Sequence, residues 1–187
     1  ADKYGINIPK YTIDFGATIS RSRAVADQLS KGIAFLMKKN NITHIEGNGI
    51  LTSATSIEIT KGKKKETVSA EKIILATGGR PRSFSGMELD GNRIISSKEA
   101  MTLKKFPKKM IIIGSGAIGV EFAYFYNEYG TEIHLIEMLP RIVPIEDEAV
   151  SKELARNFKK AGIKIYTGAK VSKIDALKTK VKVHLKR

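Results

Sequence analysis

The sequence contains no cysteine. That absence excludes disulfides, cysteine-ligated metal sites and any thiol redox chemistry performed by this chain, and it fits a reducing compartment such as the cytoplasm. Histidine is scarce too, with three residues. His44 has no second histidine, aspartate or cysteine at ligand spacing, so it reads as an ordinary strand residue and no metal site is expected. Long apolar runs are also lacking. None approaches the roughly 18 residues that a membrane span needs, and the opening ADKYGINIPKY lacks a signal peptide's basic region followed by an apolar one. Acidic residues number 19 against 33 basic ones, leaving a net charge of +14. An excess of that size would suit nucleic acid or an acidic surface. The lysines are spread along the chain, however, and their densest cluster, Lys61 to Lys65, falls in a hairpin turn without interleaved aromatics. It reads as a solvated surface, and neither nucleic acid nor membrane is expected as a partner.

What is present is 42% hydrophobic residues in a chain of 187, enough for one substantial core or two small ones. The most informative stretch runs from Lys108 to Glu137. Ile111-Ile112-Ile113 suits a buried parallel strand. Gly114, Gly116 and Gly119 follow in the spacing G-x-G-x-x-G, a helix is predicted over 117–129 up to Gly130, and a second strand over 132–136 ends at the acid Glu137. Each part has a task in a dinucleotide site. Gly114 makes the tight strand-to-helix turn, Gly116 lets a pyrophosphate approach the backbone, and Gly119 lets helix and strand pack closely. The helix N-terminus offers unpaired N–H groups and partial positive charge to the pyrophosphate. Glu137 follows Gly119 at close to the roughly 20-residue interval of a ribose-binding acid. A carboxylate there accepts hydrogen bonds from ribose hydroxyls and repels a 2′-phosphate, so NAD is expected rather than NADP. Arg141, four residues beyond the strand end, is secondary to that acid.

In chain order, residues 11–16 (YTIDFG) look extended. An amphipathic helix is predicted from about Ser20 to Lys39, with Val25, Leu29, Ile33, Leu36 and Met37 at helical spacing. The short runs ITHIEG, GILTSA, SIEIT and ETVSA predict an antiparallel meander. Lys72 to Ala76 reads as a buried strand that breaks at Thr77-Gly78-Gly79, either to let a ligand approach the backbone or simply because a loop containing Pro81 begins. Residues 81–92 read as a linker. Ser96 and Glu99 form a capping box for a short helix ending before Pro107. After Glu137, Pro140 and Pro144 mark a loop, and acids at 146–148 open a helix to about Ala161, closed by Gly162. A strand at 164–166 and further short strands at 169–174 and 180–185 complete the chain.

Two stretches share a plan. Helix, NNITHIEG and meander (20–70) parallel helix, AGIKIYTG and meander (147–187). The first leads into KIILATGG, and the second stops where the matching strand is due. The first has no G-x-G-x-x-G ahead of its helix. The expectation is therefore an α/β fold of two related nucleotide-binding domains, each incomplete, from the middle of a longer protein.

ATGGRP, IISSKEAMTL, IIIGSGAIGVE and LIEMLPRIVP, in this order, resemble the flavin-dependent pyridine nucleotide–disulfide oxidoreductases over nearly the whole chain, and within them the branch that oxidises dihydrolipoyl groups. The resemblance implies a Rossmann-like FAD/NAD(P)-binding fold with a parallel sheet plus antiparallel meanders. Residues 1–95 would be the C-terminal part of an FAD-binding domain, and 96–187 an NAD-binding domain lacking its last strand. Gly114, Ser115, Gly116, Ala117, Ile118, Gly119, Val120, Glu121 and Glu137 would bind NAD, with Val171 near the adenine end. Thr77, Gly78 and Gly79, with Gly49 in the GNG turn, would approach FAD. Glu121 matches an acid near nicotinamide and flavin that pairs with a lysine beside the redox cysteines. Ala117 stands where glutathione reductases carry a tyrosine, and Glu137 where they carry an arginine; both differences argue against an NADPH-using glutathione enzyme. Ser85 departs from the family's frequent proline before glycine. The family's cysteine pair, first G-x-G-x-x-G and C-terminal His-Glu pair are not in this sequence, so no catalytic residue is assigned to it. The resemblance further implies a homodimer serving the dihydrolipoyl domains of 2-oxoacid dehydrogenase complexes. Mercuric reductases, NADH peroxidases or oxidases, and a non-catalytic NAD-binding module are the alternatives.

Overall fold

The computed structural model describes residues 5, 10–82 and 84–186, so most of the opening segment read against a signal peptide lies outside the described residues. The chain divides into two compact units, Arg23–Arg80 and Ala1–Ser22 with Pro81–Arg187. Helix α1 (Phe15–Lys39) passes from one into the other. It begins earlier than its apolar periodicity predicts, because Asp14 caps it. The Asp14 carboxylate accepts the Ala17 N–H at 3.0 Å and its carbonyl accepts from Thr18 N at 3.3 Å. The expected extended segment 11–16 is thus corrected at its end, where Phe15 and Gly16 are helical.

In the unit Arg23–Arg80, strands β1 (Asn48–Ser53), β2 (Ser56–Lys61) and β3 (Lys64–Ser69) form the predicted antiparallel meander in the order β1-β2-β3. Two expected strands do not form. Residues 42–46 run into β1 with only Gly47 between, leaving no turn in which they could fold back and pair. Residues 72–76 have a strand's composition but no neighbouring strand among the described residues, and Ile74 is 91% exposed. A strand with unpaired backbone groups gains nothing over hydrated coil. The apolar stripe of α1 is also exposed, at Val25, Leu29, Ile33 and Leu36.

The other unit holds the principal core. Strands β4 (Lys109–Ile113), β5 (Glu132–Ile136) and β6 (Lys164–Tyr166) make a parallel sheet in that order, with helices α3 (Ala117–Glu128) and α4 (Glu148–Lys160) as the crossovers. Short helix α2 (Ser97–Ala100) precedes them, and its capping box is formed: Lys98 N donates to Ser96 Oγ and Ser96 N to Glu99 Oε2. Ala123 and Tyr126 of α3 pack on Ile133 and Leu135 of β5, all four fully buried, with Phe158 of α4 and Phe15 completing the cluster. Burial at alternate positions of β5 follows from the pleat, which sends successive side chains to opposite faces. The Tyr126 hydroxyl donates to the Ala100 carbonyl, and burial pushes its pKa up to about 12. Truncating Leu135 to alanine would cost about 2–5 kcal/mol.

On the other side of the sequence pattern, Glu132 and His134 alternate with those core residues. Glu132 gathers Lys109 at 3.0 Å, Lys164 and the His134 ring at 3.0 Å. The hairpin of β7 (Lys170–Ala176) and β8 (Val181–Lys186) carries a bulge between Val171 and Lys173. Its Val171, Ile174 and Val183 pack with Ile136 and Ala169 in a second cluster.

Candidate dinucleotide-binding site

The loop between β4 and α3 is built by its glycines. Gly114 has φ +95°, a region that a β-carbon disfavours, and its N–H donates to the Ile136 carbonyl at 2.8 Å, so the turn starts by pairing with the end of β5. At Gly119 the constraint is contact. A β-carbon there would lie 2.0 Å from the Gly114 carbonyl oxygen. Gly116 differs from both: it is the N-cap of α3 with φ −67° and open space around it. No side chain caps α3 at this end, and its first turn carries no acid. The helix therefore presents bare N–H groups and the positive end of its dipole to whatever approaches Gly116.

Glu137 stands directly after β5, at 8% exposure. Its Oε2 accepts both the N–H and the hydroxyl of fully buried Ser115, each at 2.9 Å, and its Oε1 accepts the Leu139 N–H at 2.9 Å. Burial works against its charge, but the N–H groups of Leu139 and Ser115 and the Ser115 hydroxyl outweigh it and hold the carboxyl below the ordinary carboxylate value. The acid is therefore an anion at neutral pH, with acceptor capacity left on Oε1.

The loop after Glu137 closes over the same place. Val143 N donates to the Ser115 carbonyl at 2.9 Å, and buried Val143 has φ +38°, a strained value for a β-branched residue. Arg141 donates to the carbonyls of Pro144 and Glu146, at 3.0 and 3.1 Å, so its guanidinium is engaged in tying this loop. The sequence makes Arg141 secondary to Glu137 and carries no signal for the roles of Leu139 and Val143, which act through backbone groups.

Gly114 to Glu121 and Glu137 thus lie together at the carboxyl ends of β4 and β5. Within α3, Val120 faces the core, whereas Ala117, Ile118 and Glu121 are exposed. Val171 is joined to this end through Ala169, whose N–H donates to the Glu137 carbonyl at 3.0 Å, and it packs beside Ile136. The remaining candidates belong to the unit Arg23–Arg80. Thr77, Gly78 and Gly79 are exposed and without regular structure, with Gly78 at φ +75°. Gly49 is not in a turn, as expected, but inside β1 opposite Ile59, because the strand already begins at Asn48. Among the described residues there is no cluster of acids and histidines able to hold a metal, and no helix long and apolar enough to cross a membrane.

A family model of the pyridine nucleotide-disulphide oxidoreductases matches residues 4–187. The chain belongs to that family. Its curated relatives include the dihydrolipoyl dehydrogenase of Chlorobaculum tepidum, 39% identical over 185 residues, which are 98% of this chain and 39% of the relative. The dihydrolipoyl dehydrogenase of Mycobacterium leprae is 41% identical over 167 residues, 87% of this chain and 36% of that protein. Among solved structures, LpdA from Mycobacterium tuberculosis shares the fold, with a TM-score of 0.87 at 23% identity over 95% of this chain and 40% of its own. The HOCl-induced flavoprotein disulfide reductase RclA from Escherichia coli gives 0.79 at 26% identity, over 92% of this chain and 40% of its own. The chain spans about two fifths of the length of these proteins.

Proposed function

We propose that this oxidoreductase-family chain is the central part of an NAD-dependent dihydrolipoyl dehydrogenase. Residues 1–95 are the C-terminal part of its FAD-binding domain, and 96–187 are its NAD-binding domain without the last strand. The observation that carries the reading is Glu137, an ionised acid at the end of β5 beside a glycine loop whose helix terminus is uncapped. The residues fit NAD. The N–H groups at Gly116 to Gly119 take the pyrophosphate, Glu137 Oε1 accepts a ribose hydroxyl, and Val171 offers an apolar surface to the adenine. Glu121, exposed on α3, faces the reacting end.

For FAD, the chain supplies the small residues Thr77, Gly78 and Gly79, where the glycines leave room for a ligand at the backbone, with Gly49 in the same unit. Bound FAD supplies the coupling between two-electron dithiol oxidation and hydride transfer to nicotinamide. The overall reaction turns a dihydrolipoyl dithiol and NAD⁺ into a lipoyl disulfide, NADH and a proton. The sulfur steps need a thiolate, and this chain has no cysteine, so they belong to other parts of the parent protein. That protein is a cytoplasmic homodimer whose partners are the lipoyl-bearing domains of 2-oxoacid dehydrogenase complexes.

The test is NADH absorbance with excess dihydrolipoamide and added FAD, on the longer parent protein and on this chain. Turnover by the parent and none by the chain is expected. No turnover by the parent would overturn the substrate assignment and favour another branch, for which the likeness to RclA is the supporting observation. Turnover by the cysteine-free chain would overturn the mechanism.

A further inference from the structure

The Ser115 side chain has a role that the G-x-G-x-x-G pattern does not assign, since the pattern leaves the residue between its first two glycines open. Three observations bear on it. Ser115 is fully buried, so its hydroxyl has no solvent to bond. That hydroxyl and the Ser115 N–H both reach the same oxygen, Oε2 of Glu137, at 2.9 Å. The other oxygen, Oε1, accepts the Leu139 N–H at 2.9 Å, and the Met138 backbone also favours the anion. A carboxylate offers about four acceptor positions. Ser115 therefore fills Oε2 and leaves the open position on Oε1.

We infer that Ser115 is the positioning residue that makes Glu137 a discriminating acid, by filling one carboxylate oxygen and aiming the other at the adenosine ribose. The inference rests on the NAD-binding reading above and extends it to a residue acting through Glu137. Without the hydroxyl, a buried carboxylate loses one of the donors that offset its desolvation. It then protonates at higher pH, and a protonated acid neither repels a 2′-phosphate nor holds a fixed orientation. Discrimination between NAD and NADP thereby depends on Ser115 as well as on Glu137.

The groups around this carboxylate are few. Ser115 lies on the loop before α3, Leu139 and the Met138 backbone lie on the loop after β5, and Arg141 of that loop is engaged by the carbonyls of Pro144 and Glu146. Among the described residues no basic side chain is bonded to Glu137, so the hydroxyl is the removable element of its environment.

The experiment compares the chain with its Ser115→Ala and Ser115→Gly variants, which delete the same hydroxyl with different effects on packing. Two readouts are needed. The first, in the absence of any dinucleotide, is the titration of the Glu137 side-chain carboxyl by carbon-13 NMR. The second is fluorescence titration with NADH and NADPH between pH 5 and 8. The inference expects both variants to titrate Glu137 at higher pH than the parent, to bind NADH about tenfold more weakly, and to lose most of the preference for NADH as pH falls. Unchanged Glu137 titration with unchanged NADH preference in both variants would overturn it. A parent chain that shows no preference for NADH at any pH would instead overturn the NAD-binding reading, while the carboxyl titration would still decide whether Ser115 governs Glu137.

Discussion

Gly119 faces the carbonyl of Gly114 so closely that a β-carbon on it would lie 2.0 Å from the oxygen. The two glycines of the motif's ends are therefore one contact, between the first turn of α3 and the start of the loop. A β-carbon on Gly116, between them, would meet nothing within 4 Å.

That contrast predicts opposite behaviour for the same substitution. Gly119→Ala must push α3 away from the loop and should cost about 1–3 kcal/mol, as overpacking does, lowering the melting temperature. Gly116→Ala has room and an accessible φ of −67°, so melting should change little. It should nonetheless weaken NADH by about tenfold, about 1.4 kcal/mol, because the added methyl stands where the pyrophosphate approaches. Thermal melts and NADH titrations of both variants check this. Equal melting temperatures for the two variants would contradict the packing assignment.

Acid stability should depend on Glu132. Lys164 first, then Lys109 and His134, pull its carboxyl from 4.5 down to about 2. A depressed carboxylate contributes stability that is fully present above its unfolded value and is lost as pH falls through the folded one. The relevant window therefore runs from about 4.5 down to about 2. Glu132→Gln should be less stable than the parent at neutral pH and show a shallower loss across that window. Acid unfolding followed by circular dichroism measures it, and superimposable acid limbs would contradict it.

Flavin retention separates the two nucleotide sites. The sequence has one G-x-G-x-x-G, at Gly114 to Gly119, and the proposal assigns it to NAD. The same proposal gives Thr77 to Gly79 an approach to FAD, without a helix terminus of that kind. The purified chain should be nearly colourless. Stoichiometric flavin absorbance surviving desalting would show that these residues hold FAD unaided.

Much of this was legible in the sequence wherever local chemistry decides the outcome. Strand β5 and strand β6 fall on the predicted residues, and the Ser96–Glu99 capping box forms, because hydrophobic periodicity and cap chemistry act over a few residues. The failures are of a different kind. Ile73 to Ala76 have the composition of a buried strand, but burial depends on a neighbour that composition cannot reveal, and Leu75 is 68% exposed. Phe15 lies in a stretch whose pattern suggests an extended chain, yet it starts α1 and packs against Phe106, Phe125, Tyr126 and Tyr129, contacts distant in sequence. In the site, the glycines and Glu137 were readable by spacing. The bonds from Ser115 to Glu137 were not, since they join residues on two elements that only the folded sheet brings together.

The central claim is that Glu137 makes this an NAD site, and the most direct test is paired fluorescence titration of the parent chain and Glu137→Arg with NADH and NADPH. The substitution removes a ribose acceptor and a repulsion for the 2′-phosphate together. A lost hydrogen bond to a charged group is worth about 1.5–3 kcal/mol, so NADH should bind roughly tenfold to a hundredfold more weakly while NADPH improves. The account predicts a parent that prefers NADH and a variant whose preference is reversed or abolished. The same ratio of affinities in both proteins would contradict it.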